Sequence, residues 1–295
     1  MAKRAVEFNA NGVTLRGTFF TPDSGNGPFP TVVLAHGFSG VKEQALEDYA
    51  EVISKSGMAA LAYDHRCLGA SDGEPRQDID PIAQARDFRQ AITYVQTLEE
   101  VDAERIGIWG SSYTGAQVLM LGAVDRRVKA LVSQVPLISG YRNLLRAMPY
   151  DAYPDLLKTL DAERVHLLNG GEPSVMQMCS DDPTVPCAFP GATTYRYLTE
   201  VLTAENWKNE VTVRSIDWSM EFDVSPYLER IGPTPVLMIV ATEDTTTPTD
   251  EALAAFHKIT GPKELKLISG HHYLSYVENF DVTSKAAAEF FAAQL

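Results

Sequence analysis

Hydrophobic positions along the chain change their spacing several times, and each change predicts an element. Val6 and Phe8, then Val13, Leu15 and Phe19, alternate with polar residues on either side of Asn11-Gly12. Alternation turns one face inward, and Asn-Gly accepts the positive φ values of a tight turn, so an antiparallel hairpin opens the sheet. Residues 22–30 form a loop rich in glycine and proline, and Thr31-Val32-Val33-Leu34-Ala35 follows it. That run is too short for a helix and too uniformly apolar for a surface strand; it predicts a central parallel strand. The rhythm then repeats. A helix presents Leu46, Tyr49, Ala50 and Ile53 on one face and stops at Gly57. A strand covers 59–63, a second helix carries Ile82, Ala85, Phe88, Ile92 and Val95, and a strand covers 105–109. A helix over about 113–124 and a strand over 128–134 come next. After a long interruption the pattern resumes with strands at 235–241 and 265–268 and helices near 249–259 and 280–294. Strand and helix in alternation specify an α/β fold: a mostly parallel central sheet with helices on both faces.

Between 136 and 225 the pattern dissolves. Prolines and glycines scatter, aromatic residues cluster, Tyr141, Tyr150, Tyr195 and Trp218 among them, and no strand of the earlier kind is legible. Helical spacing at 153–169 and 194–207 predicts an α-helical cap inserted after the sixth strand, because so long a connection is rarely structureless in a compact domain. The expected division is a core of residues 1–136 and 226–295 with the helical cap at 137–225. A cap over a site must present an apolar ceiling, which makes Tyr141, Tyr150, Tyr195 and Trp218 candidate substrate-binding residues.

Composition narrows what such a fold can do. Twenty-five Lys and Arg against 39 Asp and Glu leave a formal charge of −14, a field that repels phosphate backbones and anionic membrane surfaces. Neither nucleic acid nor a membrane is an expected partner. No apolar stretch approaches ~18 residues, and no apolar run follows Lys3 and Arg4, so a soluble, cytoplasmic protein without a signal peptide is expected. Three cysteines, none in a close CxxC pair, favour neither a disulfide framework nor a zinc site. The 295 residues, 45% of them hydrophobic, suffice for one large domain, with or without an insertion, that buries roughly 75% of its unfolded surface.

The strongest chemical signal is Ile106-Gly107-Ile108-Trp109-Gly110-Ser111-Ser112-Tyr113-Thr114-Gly115, a strand running through small residues into a helix. It fits the nucleophile elbow G-x-S-x-G at Gly110 and Ser112, with Thr114 where the last Gly is usual and Gly115 beside it. Ser112 is preferred to Ser111 because only Ser112 has Gly two positions before it; the bland alternative is a serine that merely caps the helix. A serine needs a histidine base and an acid to orient it. The strand at 235–241 runs into Thr242-Glu243-Asp244, and the strand ending at 268 runs into Ser269-Gly270-His271-His272. Nucleophile, acid and base therefore follow three strand ends in the order Ser, Asp, His, with His271 and His272 both open as the base. Backbone donors for an oxyanion would be the N–H groups of Tyr113 and of Phe38 in Ala35-His36-Gly37-Phe38. His36 reads as a brace of that loop, Asp64 and Arg66 as an ion pair bracing loops, and Cys67 as a thiol with no acid–base set to spare.

With these motifs in place the chain resembles the α/β-hydrolase superfamily. Ala35-His36-Gly37-Phe38, Tyr63-Asp64-His65-Arg66, Trp109-Gly110-Ser111-Ser112-Tyr113, Asp244 with Thr247-Pro248, and His272-Tyr273 with Tyr276 look like the branch holding dienelactone-hydrolase-like and S15-peptidase-like proteins and the fungal polyketide transferases. Matching Tyr276 to the Tyr that follows the family's catalytic His puts the base at His272, with His271 where the family carries Gly. The resemblance implies a capped α/β-hydrolase fold, a catalytic Ser112, Asp244 and His272, an oxyanion hole at Phe38 and Tyr113, and no cofactor or metal. The expected activity is cleavage of a small-molecule ester or thioester of a medium-sized apolar acid through an acyl-enzyme. Acyl transfer by the same triad, a cofactor-free carbon–carbon hydrolase or lyase, and a non-catalytic binding protein are the rivals. A homodimer is compatible with the chain.

Overall fold

The computed structural model describes residues 1–23, 25 and 27–295. Strands β1 (Ala2–Ala10) and β2 (Val13–Thr21) form the hairpin, with Ala10 opposite Val13 across Asn11-Gly12. Then follow β3 (Phe29–Ala35), α1 (Leu46–Lys55), β4 (Ala59–Tyr63), α2 (Pro81–Gln96), β5 (Val101–Ser111), α3 (Tyr113–Val124) and β6 (Val128–Gln134). The segment after β6 contains α4 (Gly140–Ala147), α5 (Tyr153–Leu168), β7 (Val175–Ser180), β8 (Cys187–Pro190), α6 (Ala192–Arg196), β9 (Val211–Thr212) and α7 (Val213–Glu221). The chain closes with β10 (Val236–Ala241), α8 (Thr249–Lys258), β11 (Lys263–Ile268) and α9 (Phe280–Gln294). Eight strands make one sheet in the order β1-β2-β4-β3-β5-β6-β10-β11. The β1–β2 and β2–β4 pairings are antiparallel, and every pairing from β4 to β11 is parallel.

The uniform apolar strands follow from burial on both faces. Val32 and Leu34 join Ile53 and Phe291 on one side, whereas Val33 and Ala35 join Phe88 and Ile92 on the other. Fully burying side chains of this size contributes about 1.5–3 kcal/mol each. Because the strands from β4 to β11 run parallel, their C-terminal ends share one edge of the sheet, where ligands bind in open α/β sheets. That edge receives His36 after β3, Ser112 after β5, Asp244 after β10 and His272 after β11.

The inserted segment differs from the all-helical expectation. It carries a second, three-stranded sheet in the order β8-β7-β9. These strands are short: β7 is half exposed, with Val175 and Gln177 facing solvent, and β9 is buried but has only Val211 and Thr212. Nothing in their composition resembles the continuous apolar runs of the core, so they left no pattern to find. Residues 194–207 likewise do not form one helix; α6 ends at Arg196 and a single wide turn follows over Tyr197–Val201. The segment is pinned to the core at Asp78, whose carboxylate accepts from Arg214 Nε and Nη2 at 2.8 Å each and from Thr212 Oγ1 at 2.8 Å. Ile79 N–H donates to Ser215 Oγ at 2.7 Å. Among the described residues, no helix is long and apolar enough to cross a membrane.

Candidate active site

β5 delivers its chain into α3 through a turn only small residues allow. A Cβ at Gly110 would strike the Thr114 carbonyl carbon at 2.7 Å, and one at Gly115 would sit 3.0 Å from the Gln134 carbonyl oxygen. Gly115 thus supplies the close helix–strand approach, which frees position 114 for a side chain. Thr114 uses that freedom: its hydroxyl donates to the His36 carbonyl and accepts from His65 Nε2 at 3.1 Å, tying the loop after β3 to the elbow. Between them Ser112 adopts φ 57° and ψ −119°, a sparsely populated conformation that costs about 1–3 kcal/mol and persists only where the surroundings enforce it. The helix-cap reading of Ser112 fails, since its side chain caps nothing. Among the described residues the Ser112 hydroxyl has no hydrogen-bond partner, and it lines the cavity that also holds His272. Ser111, by contrast, is buried, and its hydroxyl pairs with Tyr276 Oη at 2.6 Å.

His272 and Asp244 meet behind the serine. Both are buried, and His272 Nδ1–H donates to Asp244 Oδ2 at 2.7 Å. An ionised carboxylate can only accept, so the proton sits on Nδ1 and Nε2 keeps its lone pair. The carboxylate is itself aimed by the N–H groups of Thr246 and Thr247, which donate to Oδ1 at 2.9 and 2.8 Å. His271 makes no such contact; its ring packs edge-on against Tyr197 at 5.3 Å.

Thr247 is the functional position that sequence reasoning missed. Its hydroxyl lies 3.0 Å from Asp244 Oδ2, 3.1 Å from His272 Nδ1 and 2.9 Å from the Val135 carbonyl. It stands in the quoted Thr247-Pro248 pair, but a threonine before a helix looks the same whatever it touches. Thr247→Val keeps the shape and removes one hydrogen bond, worth about 0.5–1.5 kcal/mol. The expected result is a three- to tenfold fall in kcat with KM unchanged, restored by Thr247→Ser; steady-state kinetics with an unaltered kcat for the valine variant would reduce Thr247 to packing.

The loop after β3 lies against the elbow. A Cβ at Gly37 would meet Ser112 Cβ at 3.1 Å and Ser112 Oγ at 3.6 Å, so this position is crowded against the serine, and Phe38, next in the chain, lines both cavities with Ser112. Tyr113 is the first residue of α3, whose N–H has no acceptor within its own helix. His36 braces the loop as expected, its Nδ1 bonding the Gly37 carbonyl at 2.9 Å, and burial holds its basicity below that of a free imidazole. Burial does the same more strongly to His65. The expected Asp64–Arg66 pair does not form. Asp64 takes the Lys42 N–H at 2.7 Å and the Lys42 ammonium at 3.3 Å, while Arg66 turns outward to Asp87, bonding Oδ1 at 2.6 Å. Burial pushes the Cys67 thiol up to about 11, which keeps it protonated and a poor nucleophile.

Two cavities open on Ser112. The smaller, about 80 Å³, is walled by Leu46, Met178, Leu198 and Leu202 and includes His272. The larger, about 490 Å³, is walled by Tyr113, Leu137, Leu144, Ile216 and Met220 and includes His271. Neither is lined by Tyr141, Tyr150, Tyr195 or Trp218, which corrects the expected substrate-binding set. Helix phase explains it. In α4 Gly140, Asn143, Leu144 and Ala147 line the cavity from one face, with Arg146 at its margin, and Tyr141 falls off that face, 44% exposed. In α7 Ile216 and Met220 point inward, so Trp218 lies on the opposite side under the Arg214 guanidinium at 4.8 Å. Tyr150 is 93% exposed. Tyr195 is half-buried in α6, beside the lining residues Thr193 and Thr194.

This geometry agrees with a wider relationship. The chain matches the X-Pro dipeptidyl-peptidase (S15 family) over residues 11–274. It belongs to that family. The match runs through the inserted segment, beyond the motifs that carried the resemblance. The polyketide transferase grgF of Penicillium sp is 32% identical over 273 residues, covering 92% of this chain and 90% of the relative. The thiohydrolase aneE of Aspergillus aculeatus is 29% identical over 299 residues, covering 97% and 91%. A crystal structure of the α/β hydrolase GrgF from Penicillium sp. sh18 superposes with a TM-score of 0.86 at 28% identity, covering 100% of this chain and 99% of that one. This S15-family chain is an α/β-hydrolase with the mostly parallel sheet described above.

Proposed function

We propose that this protein is a serine hydrolase that cleaves an ester or thioester of a medium-sized apolar acid, through an acyl-enzyme on Ser112. The observation that carries the reading is the buried His272–Asp244 hydrogen bond of 2.7 Å in the cavity that exposes a strained, unpartnered Ser112. In acylation Ser112 Oγ bonds the substrate carbonyl carbon while its proton passes to His272 Nε2; the carbon–sulfur or carbon–oxygen bond then breaks and that proton goes to the departing atom. Water reverses the sequence, giving the acid and restoring the Ser112 hydroxyl. Phe38 and Tyr113 N–H groups would hold the tetrahedral oxyanion, the largest single contribution in such reactions. Similarity to a thiohydrolase and a polyketide transferase favours a thioester and supports a second reading, in which an alcohol or amine replaces water as acceptor.

A panel of p-nitrophenyl esters and acyl thioesters of graded chain length tests this. Turnover of part of the panel is expected, with the acyl mass recovered on the peptide containing Ser112. Added alcohols or amines that divert the product would identify transfer, whereas an inert panel with no adduct would remove the reading.

A further inference from the structure

Ser112 stands where the two cavities meet, and Phe38, Phe189, Thr246 and Tyr273 wall both. What distinguishes the two is the histidine each receives. His272, the side chain bonded to Asp244, lines only the small cavity, together with Ser111 and Tyr276; the large one receives His271 instead. A proton taken from Ser112 by His272 has to be handed to the departing atom, so that atom leaves on the side where His272 stands.

We infer that the small cavity is the subsite of the departing thiol or alcohol and the large cavity that of the acyl group. The inference rests on the acyl-enzyme reading above. The sizes then set the substrate class. At about 10–15 Å³ per water-sized group, roughly 80 Å³ holds an unbranched arm of a few atoms, and its walls of Leu46, Met178, Leu198 and Leu202 suit an apolar one. The roughly 490 Å³ on the other side accepts a branched or ring-bearing acyl group, against Leu137, Leu144, Ile216 and Met220. The atoms balance as before: the carbonyl carbon stays bonded to Ser112 Oγ in the large cavity, and the leaving sulfur or oxygen departs through the small one carrying the proton from His272 Nε2.

The test is a two-by-two set of thioesters, acetyl or octanoyl, each on ethanethiol or on N-acetylcysteamine, with kcat/KM measured for folded, monodisperse variants. Leu202→Trp and the milder Leu198→Phe should depress the N-acetylcysteamine thioesters at least tenfold relative to the ethanethiol ones, equally for both acyl groups. Met220→Trp and the milder Ile216→Phe should depress octanoyl relative to acetyl at least tenfold and leave the thiol preference alone. The crossed pattern, or equal losses on all four substrates, would overturn the assignment. Intact-mass detection of acylated Ser112 in the unaltered protein separates the two ideas: an adduct with crossed preferences defeats the orientation alone, whereas no adduct defeats the acyl-enzyme on which it rests.

Discussion

A fluorophosphonate should add once to this protein, on the peptide containing Ser112, and Ser112→Ala should abolish both the adduct and turnover, a loss of about 10⁴-fold or more in kcat. The selectivity follows from what surrounds the other candidates. Ser111 is buried with its hydroxyl committed to Tyr276, and Ser71 is buried with its hydroxyl donating to the Asp64 carbonyl at 2.6 Å. Cys67 keeps its proton. Among the described residues, only Ser112 combines strained backbone, a hydroxyl without a partner and a neighbouring imidazole in one cavity. Mass mapping of the labelled peptide reads the result directly, and an adduct on Ser111 or Ser71 would move the nucleophile.

The adjacent histidines should separate just as sharply. His272→Ala should lower kcat by ~10³ or more, since it removes the base and strands the Asp244 carboxylate. His271→Ala should cost about tenfold, through its lost packing on Tyr197 and the altered wall of the large cavity. Single-turnover kinetics on both variants, with folding checked by circular dichroism, gives the ranking. The reverse order would place the base at His271, contrary to the hydrogen bond that only His272 makes with Asp244.

How much of this was readable beforehand depended on whether one physical requirement acted on consecutive residues. The central strands β3 and β10 are buried on two faces, so Thr31 to Ala35 and Val236 to Ala241 carry nearly unbroken apolar runs that announce themselves. The elbow was legible because close approach excludes a Cβ at Gly110 and crowds one at Gly115. Asp244 and His272 were legible as candidates because they follow strands that were themselves legible. The inserted segment obeys no such rule. Its strands are short, β7 is half exposed, and its aromatic residues serve solvent-facing stacks as readily as cavity walls. Which side of α4 or α7 faces Ser112 depends on how those helices dock, so Tyr141 and Trp218 looked no different from Leu144 and Met220. The misassigned Asp64–Arg66 pair has the same origin, because neighbours in sequence on a loop need not be neighbours in space.

The anchoring of the inserted segment at Asp78 bears on how material reaches Ser112. Lifting the segment as one body would break the two bonds from Arg214 and the one from Thr212 to a mostly buried carboxylate. Hydrogen bonds to a charged group contribute about 1.5–3 kcal/mol each, so such an opening lies several kcal/mol uphill even before Arg142 releases Glu251 of α8. A roof fastened this firmly stands open as one body in only a small fraction of molecules at any moment. On the acyl-enzyme reading, traffic then has to use the doorways of the closed form, their gauge would decide which molecules gain admission, and the residence time of a bulky product would govern the overall rate.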